Sequence, residues 1–117
     1  MVNEDCIFCK IAKGEIKADK TLETDNFFVI KDIQPVERGH SLVIPKKHYK
    51  TLLEIPASAL GEFFELAKEA SIKLIKEEKA DGFNLVMNNF EAAGQLVPHA
   101  HLHIIPRYKN SDFKLSF

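Results

Sequence analysis

The 117-residue sequence has no tryptophan, two cysteines and no long apolar segment. Its longest purely apolar runs are four residues, at Cys6–Cys9 and Phe27–Ile30, whereas a membrane-spanning helix needs roughly 20. The sequence therefore predicts no transmembrane segment. The opening residues, 1–5, are acidic and do not predict a secretory signal. Two cysteines without an export signal favour free thiols in a reducing, cytoplasmic compartment.

The charge balance is close to neutral, with 16 Lys and Arg against 17 Asp and Glu. Nucleic-acid polymers are held by an excess of basic side chains on one face, so we expect no such partner. The five glycines are scattered and form neither of the glycine-rich phosphate-binding loops. The length predicts a single domain over residues 1–117 with room for its own core.

Local patterns predict seven elements. A short helix is expected over 6–14, with Asp5 as its cap and Gly14 as its end. A hairpin pairs 19–23 with 27–31, and further strands are expected at 40–45, 83–88 and 99–106.

One long helix follows Pro56, which suits a first-turn position. Steps of three and four place one set of residues on its buried face: Leu60, Phe63, Phe64, Ala67, Ala70, Ser71 and Leu74. Helices and strands do not alternate regularly, which disfavours a doubly wound parallel sheet. The order instead predicts an α+β fold with an antiparallel sheet covered on one side by helices.

The segment from Pro98 to Arg107 carries three histidines at alternate positions: His99, His101 and His103. Alternation in a strand puts these imidazoles on one face and Ala100, Leu102 and Ile104 on the other. A row of imidazoles is costly as mere packing, because each needs polar partners when buried. An exposed polar strand face and an incidental metal-binding stripe are the simpler alternatives.

The sequence resembles the histidine triad (HIT) superfamily of nucleotide hydrolases and transferases. Its signature, His-φ-His-φ-His-φ-φ with φ apolar, fits residues 99–105 at all seven positions. Family-like residues also stand at other positions along about 5–108: Cys6–Ile11, Asp32-Ile33, Gly39-His40, Leu42–Pro45, Asn88 and Ala93–Gln95. The likeness is greatest to the bacterial and archaeal Hint-like branch. It implies a five-stranded antiparallel sheet with one long helix and a short N-terminal helix, and a homodimer.

The resemblance implies a catalytic role for the three alternating histidines, His99, His101 and His103. A neutral imidazole is a good nucleophile near pH 7, and a phosphoramidate intermediate splits one displacement into two easier steps. In the family the middle histidine attacks the α-phosphate, a role that falls on His101. His103 would contact the phosphate or the leaving group, and His40 would be a partner of the triad. Without the family, a satisfied strand-start histidine is the simpler interpretation of His40.

The resemblance also implies a purine nucleotide pocket. Asp32 would accept the ribose hydroxyls, Asn88 would donate to the α-phosphate region, and Gln95 would lie at the mouth of the same site. The base would lie between Phe8, Ile11, Ile30 and Ile33, although apolar residues in such patterns are usually core. This sequence departs from the family at Leu96, where many members have a small hydroxyl residue that helps to protonate the leaving group. Pro98 is also unusual before the triad, and 89–91 lacks a common glycine.

Cys6 and Cys9 form half of a zinc signature, since structural zinc takes four ligands. In family members with this pair, the resemblance implies that His48 and His99 complete a structural zinc site. The alternatives are buried free thiols and a redox pair, and the redox pair lacks a β-α-β context.

We therefore expect a HIT-family hydrolase or transferase acting on phosphoramidates, adenylates or dinucleoside polyphosphates. One rival is a zinc-stabilised nucleotide-binding module with little turnover. Another is a metal-dependent hydrolase with His99, His101 and His103 as ligands.

Overall fold

The computed structural model of the chain describes residues 5–113. In chain order it contains α1 (Ile7–Ala12), β1 (Lys20–Glu23), β2 (Phe27–Lys31), β3 (Ser41–Pro45), α2 (Ala57–Glu78), β4 (Gly82–Val86) and β5 (Leu102–Arg107). Two single-turn 3-10 segments lie at Leu52–Glu54 and Glu91–Ala93. No helix among residues 5–113 has the length and apolar character needed to cross a bilayer. The predicted α+β fold with five strands, one long helix and one short helix is confirmed.

All five strands form one antiparallel sheet in the order β1-β2-β3-β5-β4. The last strand in the chain, β5, lies between β3 and β4, so the histidine segment enters the middle of the sheet. The register places Leu42 of β3 opposite His103 of β5. Side chains directly opposite each other share a face, so His103 and Leu42 face the same side.

Alternate residues of the sheet belong to two separate clusters. Phe27 and Val29 pack with Phe63 of α2 on one face, whereas Phe28 and Ile30 pack with α1 on the other. The expectation that helices cover only one face is therefore wrong, because buried residues occupy both faces of β2 and β3. The α1 face has the smaller cluster, and His101 and His103 lie on it.

The histidine strand begins later than expected. Regular pairing starts at Leu102, not at His99, because the Ala100 N–H bonds the Tyr49 carbonyl outside the sheet ladder. The alternation of faces still holds before the strand begins. Ala100, Leu102 and Ile104 are buried in the cluster with α2, while the histidines lie on the other face.

The helix ends also differ from the sequence predictions. The N-cap of α1 is Cys6, whose sulfur accepts the Cys9 N–H, instead of Asp5. Gly14 closes the turn beyond the helix with a φ of +81°. Pro56 is the N-cap of α2, one position before the first turn.

The buried face of α2 is shifted relative to the prediction. Leu66, which the periodicity argument left out, is buried, whereas Phe64 is 47% exposed. Leu60 is partly buried against the core. The remaining predicted face residues are buried: Phe63, Ala67, Ala70, Ser71 and Leu74. An apolar strip of α2 therefore remains in contact with solvent.

Gly39 lies in the loop that leads into β3 and directly precedes His40. It adopts a φ of +90°, and a Cβ there would lie 2.9 Å from Glu78 Cγ and 3.3 Å from Leu74 Cδ2. Both the left-handed conformation and the contact with α2 require glycine.

We expect Gly39→Ala to destabilise the protein by about 2 kcal/mol, because backbone strain and crowding add. The matched control is Gly61→Ala on the open side of α2, where a Cβ would meet nothing within 4 Å. That change should stabilise by roughly 0.5–1 kcal/mol. Urea denaturation measures both, and equal effects of the two substitutions would contradict the assignment.

Candidate active site and metal centre

A cavity of about 690 Å³ opens on the α1 face of the sheet. This volume lies within the range of small-molecule sites. Its wall contains most of the side chains that the sequence predicted around a nucleotide: Phe8, Ile11, Ile30, Asp32, Ile33, His40, Asn88, His101 and His103. Ile33 is 90% exposed and lies at the mouth. Sequence reasoning did not predict Ile16, Val36 or Leu42 as part of the cavity wall, which they also line.

Gln95, expected at the mouth of this cavity, is buried beside it and holds a loop. Its Nε2 donates to the Lys50 and Val97 carbonyls at 2.7 and 3.0 Å, and its Oε1 accepts the Phe90 N–H at 2.7 Å. Phe90 has φ 73° and ψ 158°, a region favourable to glycine alone. The hydrogen bond to Gln95 thus supports the strained Phe90, which lies in the 89–91 segment that lacks the glycine expected from the resemblance. The next residue, Leu96, is 92% exposed and lines the cavity.

One nitrogen of His101 is fixed by the backbone. Its Nδ1 lies 2.7 Å from the His99 carbonyl oxygen. A carbonyl only accepts, so the hydrogen-bond network assigns the proton of neutral His101 to Nδ1. Burial lowers the pKa of His101, which keeps the ring neutral near pH 7. His101 therefore has its lone pair on Nε2, as a nucleophile requires.

A chain of hydrogen bonds gives His103 the opposite tautomer. The Val36 N–H donates to His40 Nδ1 at 3.0 Å, so the proton of neutral His40 is on Nε2. That nitrogen lies 2.9 Å from His103 Nδ1, which must then accept, and the proton of His103 is on Nε2. The cavity wall thus contains one imidazole that presents a lone pair and one that presents an N–H.

Asp32 lies beside this chain. Its Oδ1 accepts the Gln34 N–H at 2.9 Å, and its Oδ2 lies 3.5 Å from His40 Nε2. The carboxylate is held in the cavity wall by its own loop. It places an anionic acceptor beside His40, and a pair of hydroxyl groups is a suitable ligand for it.

A second group lies behind the cavity, where the donor atoms of Cys6, Cys9, His48 and His99 converge within 4.8 Å. Cys6 Sγ lies 3.2 Å from His99 Nδ1, Cys9 Sγ lies 3.3 Å from His48 Nδ1, and the two Nδ1 atoms are 3.1 Å apart. Ligands at tetrahedral angles around one zinc lie roughly 3.3–3.8 Å apart. The spacing of this group is close to that arrangement.

The chemistry of the donors also fits a metal. His99 Nε2 lies 2.8 Å from the Pro45 carbonyl oxygen, so the proton is there and Nδ1 is left with a lone pair. Burial lowers the pKa of His99 to about 4, which keeps it neutral. Burial raises the pKa of the Cys6 thiol, and a bound cation would supply the charge that deprotonates it. These four residues could hold a metal ion.

The alternating histidines do not form one ligand set. Within residues 5–113, the potential metal groups place His99 with the cysteines and His103 with Asp32 and His40. His101 belongs to neither group. The hypothesis of a metal-dependent hydrolase with His99, His101 and His103 as ligands therefore has no geometric support.

Several groups that set the chemistry of the site belong to the backbone, and sequence reasoning did not identify which residues supply them. The carbonyls of Pro45 and His99 and the N–H of Val36 determine which nitrogen of each imidazole is protonated. Main-chain groups are present in every residue and leave no signal in a sequence pattern. Pro45 was visible as the end of a strand, but its carbonyl function was not.

Comparison with known proteins shows which family the chain resembles. A family model described as HIT domain matches residues 13–110. The chain is 44% identical over 106 residues to an adenylylsulfatase of Arabidopsis thaliana, covering 91% of this chain and 54% of the plant protein. It is 43% identical over 102 residues to an adenosine 5′-monophosphoramidase of Saccharomyces cerevisiae, covering 87% of this chain and 62% of the yeast protein.

A solved structure shows the likeness in fold. The zinc-bound histidine triad family protein of Mycobacterium smegmatis superposes with a TM-score of 0.88 at 35% identity, covering 94% of this chain and 80% of that one.

The buried histidines predict a pH dependence of stability. Burial, followed by the charge of neighbouring His101, lowers the pKa of His103 to about 4 from 6.5. Between pH 6.5 and 4 the unfolded chain therefore binds a proton that the folded chain does not, so stability falls as pH falls through this window. We expect His103→Gln to reduce this loss by about 1–2 kcal/mol, after allowance for its partial exposure. Urea denaturation from pH 8 to 4 measures it, and parallel curves for the two proteins would contradict it.

Proposed function

This chain belongs to the HIT family, and on that premise we propose that it is a hydrolase or transferase acting at the α-phosphate of purine nucleotide conjugates. The observation that carries the proposal is the pair of opposite tautomers in one cavity, with a lone pair on His101 and an N–H on His103. The named activities of the plant and yeast relatives, on adenylyl sulfate and adenosine phosphoramidate, support this substrate class.

In the first step the lone pair of His101 Nε2 attacks the α-phosphorus. A P–N bond forms, and the bond from phosphorus to the leaving group breaks. The His103 N–H donates to an oxygen of the reacting phosphoryl group, where negative charge develops. The His99 carbonyl holds the Nδ1 proton while the ring becomes positively charged. A sulfate or phosphate leaves as an anion, whereas an amine also takes up one proton from the solvent.

In the second step water attacks the same phosphorus from the open cavity. The P–N bond breaks, its electron pair returns to His101 Nε2, and the water releases one proton to the solvent. The nucleoside monophosphate is then free to leave. With another acceptor in place of water, the same intermediate would give transfer instead of hydrolysis.

The cavity wall suggests how a nucleotide is bound. Asp32 would accept the ribose hydroxyls, and Phe8, Ile11, Ile30 and Ile33 would enclose the base. Asn88 would donate to the phosphate on the side of His101. Gln95 would act on this site through the loop that it holds, since its amide is already bonded to the backbone.

The rival function is a nucleotide-binding module with little turnover. Leu96 favours it, because an exposed leucine at the cavity mouth offers no proton to a leaving group. The two functions differ in whether nucleoside monophosphate is released from a substrate panel of phosphoramidates, adenylates and dinucleoside polyphosphates.

Rapid mixing with adenosine phosphoramidate tests the covalent step. We expect a mass increase of one adenylyl group on the peptide containing His101, lost in acid because P–N bonds are acid-labile. His101→Ala should form no adduct and lose at least about 10³-fold in turnover while it still binds AMP, because it removes a group that acts in the transition state. Activity of His101→Ala within a few-fold of the wild type would contradict the assignment of His101 as the nucleophile. Substrate consumption without an adduct would favour direct attack by water.

We propose that Cys6, Cys9, His48 and His99 bind a structural zinc ion. When bound, it would join α1 to the segment that precedes β5. All four protein ligands are supplied, so no position is left open for substrate. A site with two thiolates needs reduced cysteines, which favours the cytoplasm as the location.

Metal removal tests this site. We expect close to one zinc per chain, and Cys9→Ser should lose it and melt lower by roughly 5–15 °C, since metal that binds only the folded state stabilises it. A chelator should lower the melting temperature of the wild type but not of Cys9→Ser. Lys47→Gln, an exposed neighbour of His48, is the control that keeps the metal. Metal-free protein with an unchanged melting temperature would contradict the proposed zinc site.

We also propose a homodimer formed through α2 and β4. An apolar groove of about 390 Å³ runs between them, and β4 is an edge strand. Phe64, Phe83 and Leu85 in this groove are 44–47% exposed. A second copy placed by two-fold symmetry would cover the groove and pair the two β4 edges.

Light scattering at micromolar concentration should give twice the chain mass. We expect Leu85→Lys to give the monomer mass, because a buried ammonium group without a partner opposes association. Leu53→Lys is the matched control, since Leu53 is 78% exposed and lies outside the groove. A monomeric wild type would refute the dimer and leave the chemistry intact.

A further inference from the structure

The metal group and the nucleotide cavity share the short helix α1. Cys6 and Cys9 lie at its N-terminal end and face the metal group, and Phe8 lies between them in the chain. The Phe8 ring lines the cavity. It contacts the ring of His99, a metal-group residue, at a centroid distance of 5.6 Å, and the ring of His101 at 5.2 Å. Both contacts are edge-to-face, so a shift of either imidazole displaces the phenyl ring.

His99 provides a second connection between the two sites. Its Nδ1 belongs to the metal group, while its backbone carbonyl accepts the Nδ1–H of His101 at 2.7 Å. The Pro45 carbonyl holds the far side of the same ring. His99 and Phe8 are both buried, so they cannot move independently of the atoms packed against them.

We propose that Phe8 is a positioning residue that couples metal occupancy to nucleotide affinity. The inference rests on the proposed function in taking a purine nucleotide as the ligand of the cavity. A metal that draws Cys6, Cys9 and His99 together fixes Phe8 against His101 and so completes the wall of the cavity. A bound nucleotide packs on Phe8 and holds α1 in the position that binds the metal. The coupling is reciprocal, because each ligand must change the affinity for the other by the same factor.

The first test measures zinc affinity by chelator competition, with and without saturating AMP. AMP is a product and is not turned over. We expect AMP to tighten zinc binding about tenfold, and zinc to tighten AMP binding by the same factor. Phe8→Leu keeps all four metal ligands and an apolar side chain but removes the ring contacts, so both factors should fall below about twofold. Ile11→Val is the control, because it alters the cavity wall on α1 and should weaken AMP binding without changing the factor.

The second test uses the cobalt(II)-loaded protein, so that unfolding of metal-free protein does not affect the measurement. The visible absorption of Co²⁺ bound to two sulfurs and two nitrogens depends on ligand geometry. We expect AMP to shift these bands in the wild type and in Ile11→Val, but not in Phe8→Leu. Equal zinc affinity with and without AMP, in protein that binds AMP, would overturn the coupling alone. Failure to bind AMP at any metal loading would overturn the proposed function and, with it, this inference.

Discussion

A neutral imidazole has one N–H and one lone pair, and the chemistry on the α1 face depends on which nitrogen has which. In His99, His101 and His40 a backbone group decides this, through Pro45, His99 and Val36 respectively. His103 then takes its tautomer from His40. The main chain thereby determines which nitrogen of each imidazole is protonated in the absence of a ligand. The sheet and its loops matter for function because they hold these carbonyls and N–H groups in place.

The two faces of the sheet differ in what they contact. The α2 face buries the larger apolar cluster, with Phe63 stacked on Phe27 at a centroid distance of 5.0 Å. The α1 face has a smaller cluster, and the cavity and the metal group lie on the same side. Since the last strand in the chain inserts between β3 and β4, His103 lies beside Leu42 in the interior of the sheet. A rigid central position suits the proposed donation of the His103 N–H to a phosphoryl oxygen at a set distance.

Much of this arrangement could be predicted from the sequence. Apolar periodicity and turn residues located the elements, and the spaced histidines identified the segment with the chemistry. Element ends were less predictable: α1 begins at Ile7, so the N-cap is Cys6 and not Asp5, and the Cys6 sulfur accepts the Cys9 N–H. The buried face of α2 was misplaced by part of a turn because Phe64 belongs to the exposed groove. Gln95 could be predicted as important, but its backbone partners Lys50 and Val97 lie 45 and two residues away, and such partners follow from the fold alone.

The metal group joins distant parts of the chain, with Cys6 and His99 separated by 93 residues. During synthesis the two cysteines leave the ribosome first, His48 follows, and His99 comes much later. The four ligands cannot meet until most of the sheet has been made, because His99 reaches them through the segment that leads into β5. A nascent chain thus offers a metal at most a pair of thiols and one imidazole for most of its translation. Coordination of the proposed ion by all four residues could therefore occur only late in synthesis, after the His99 segment has left the ribosome.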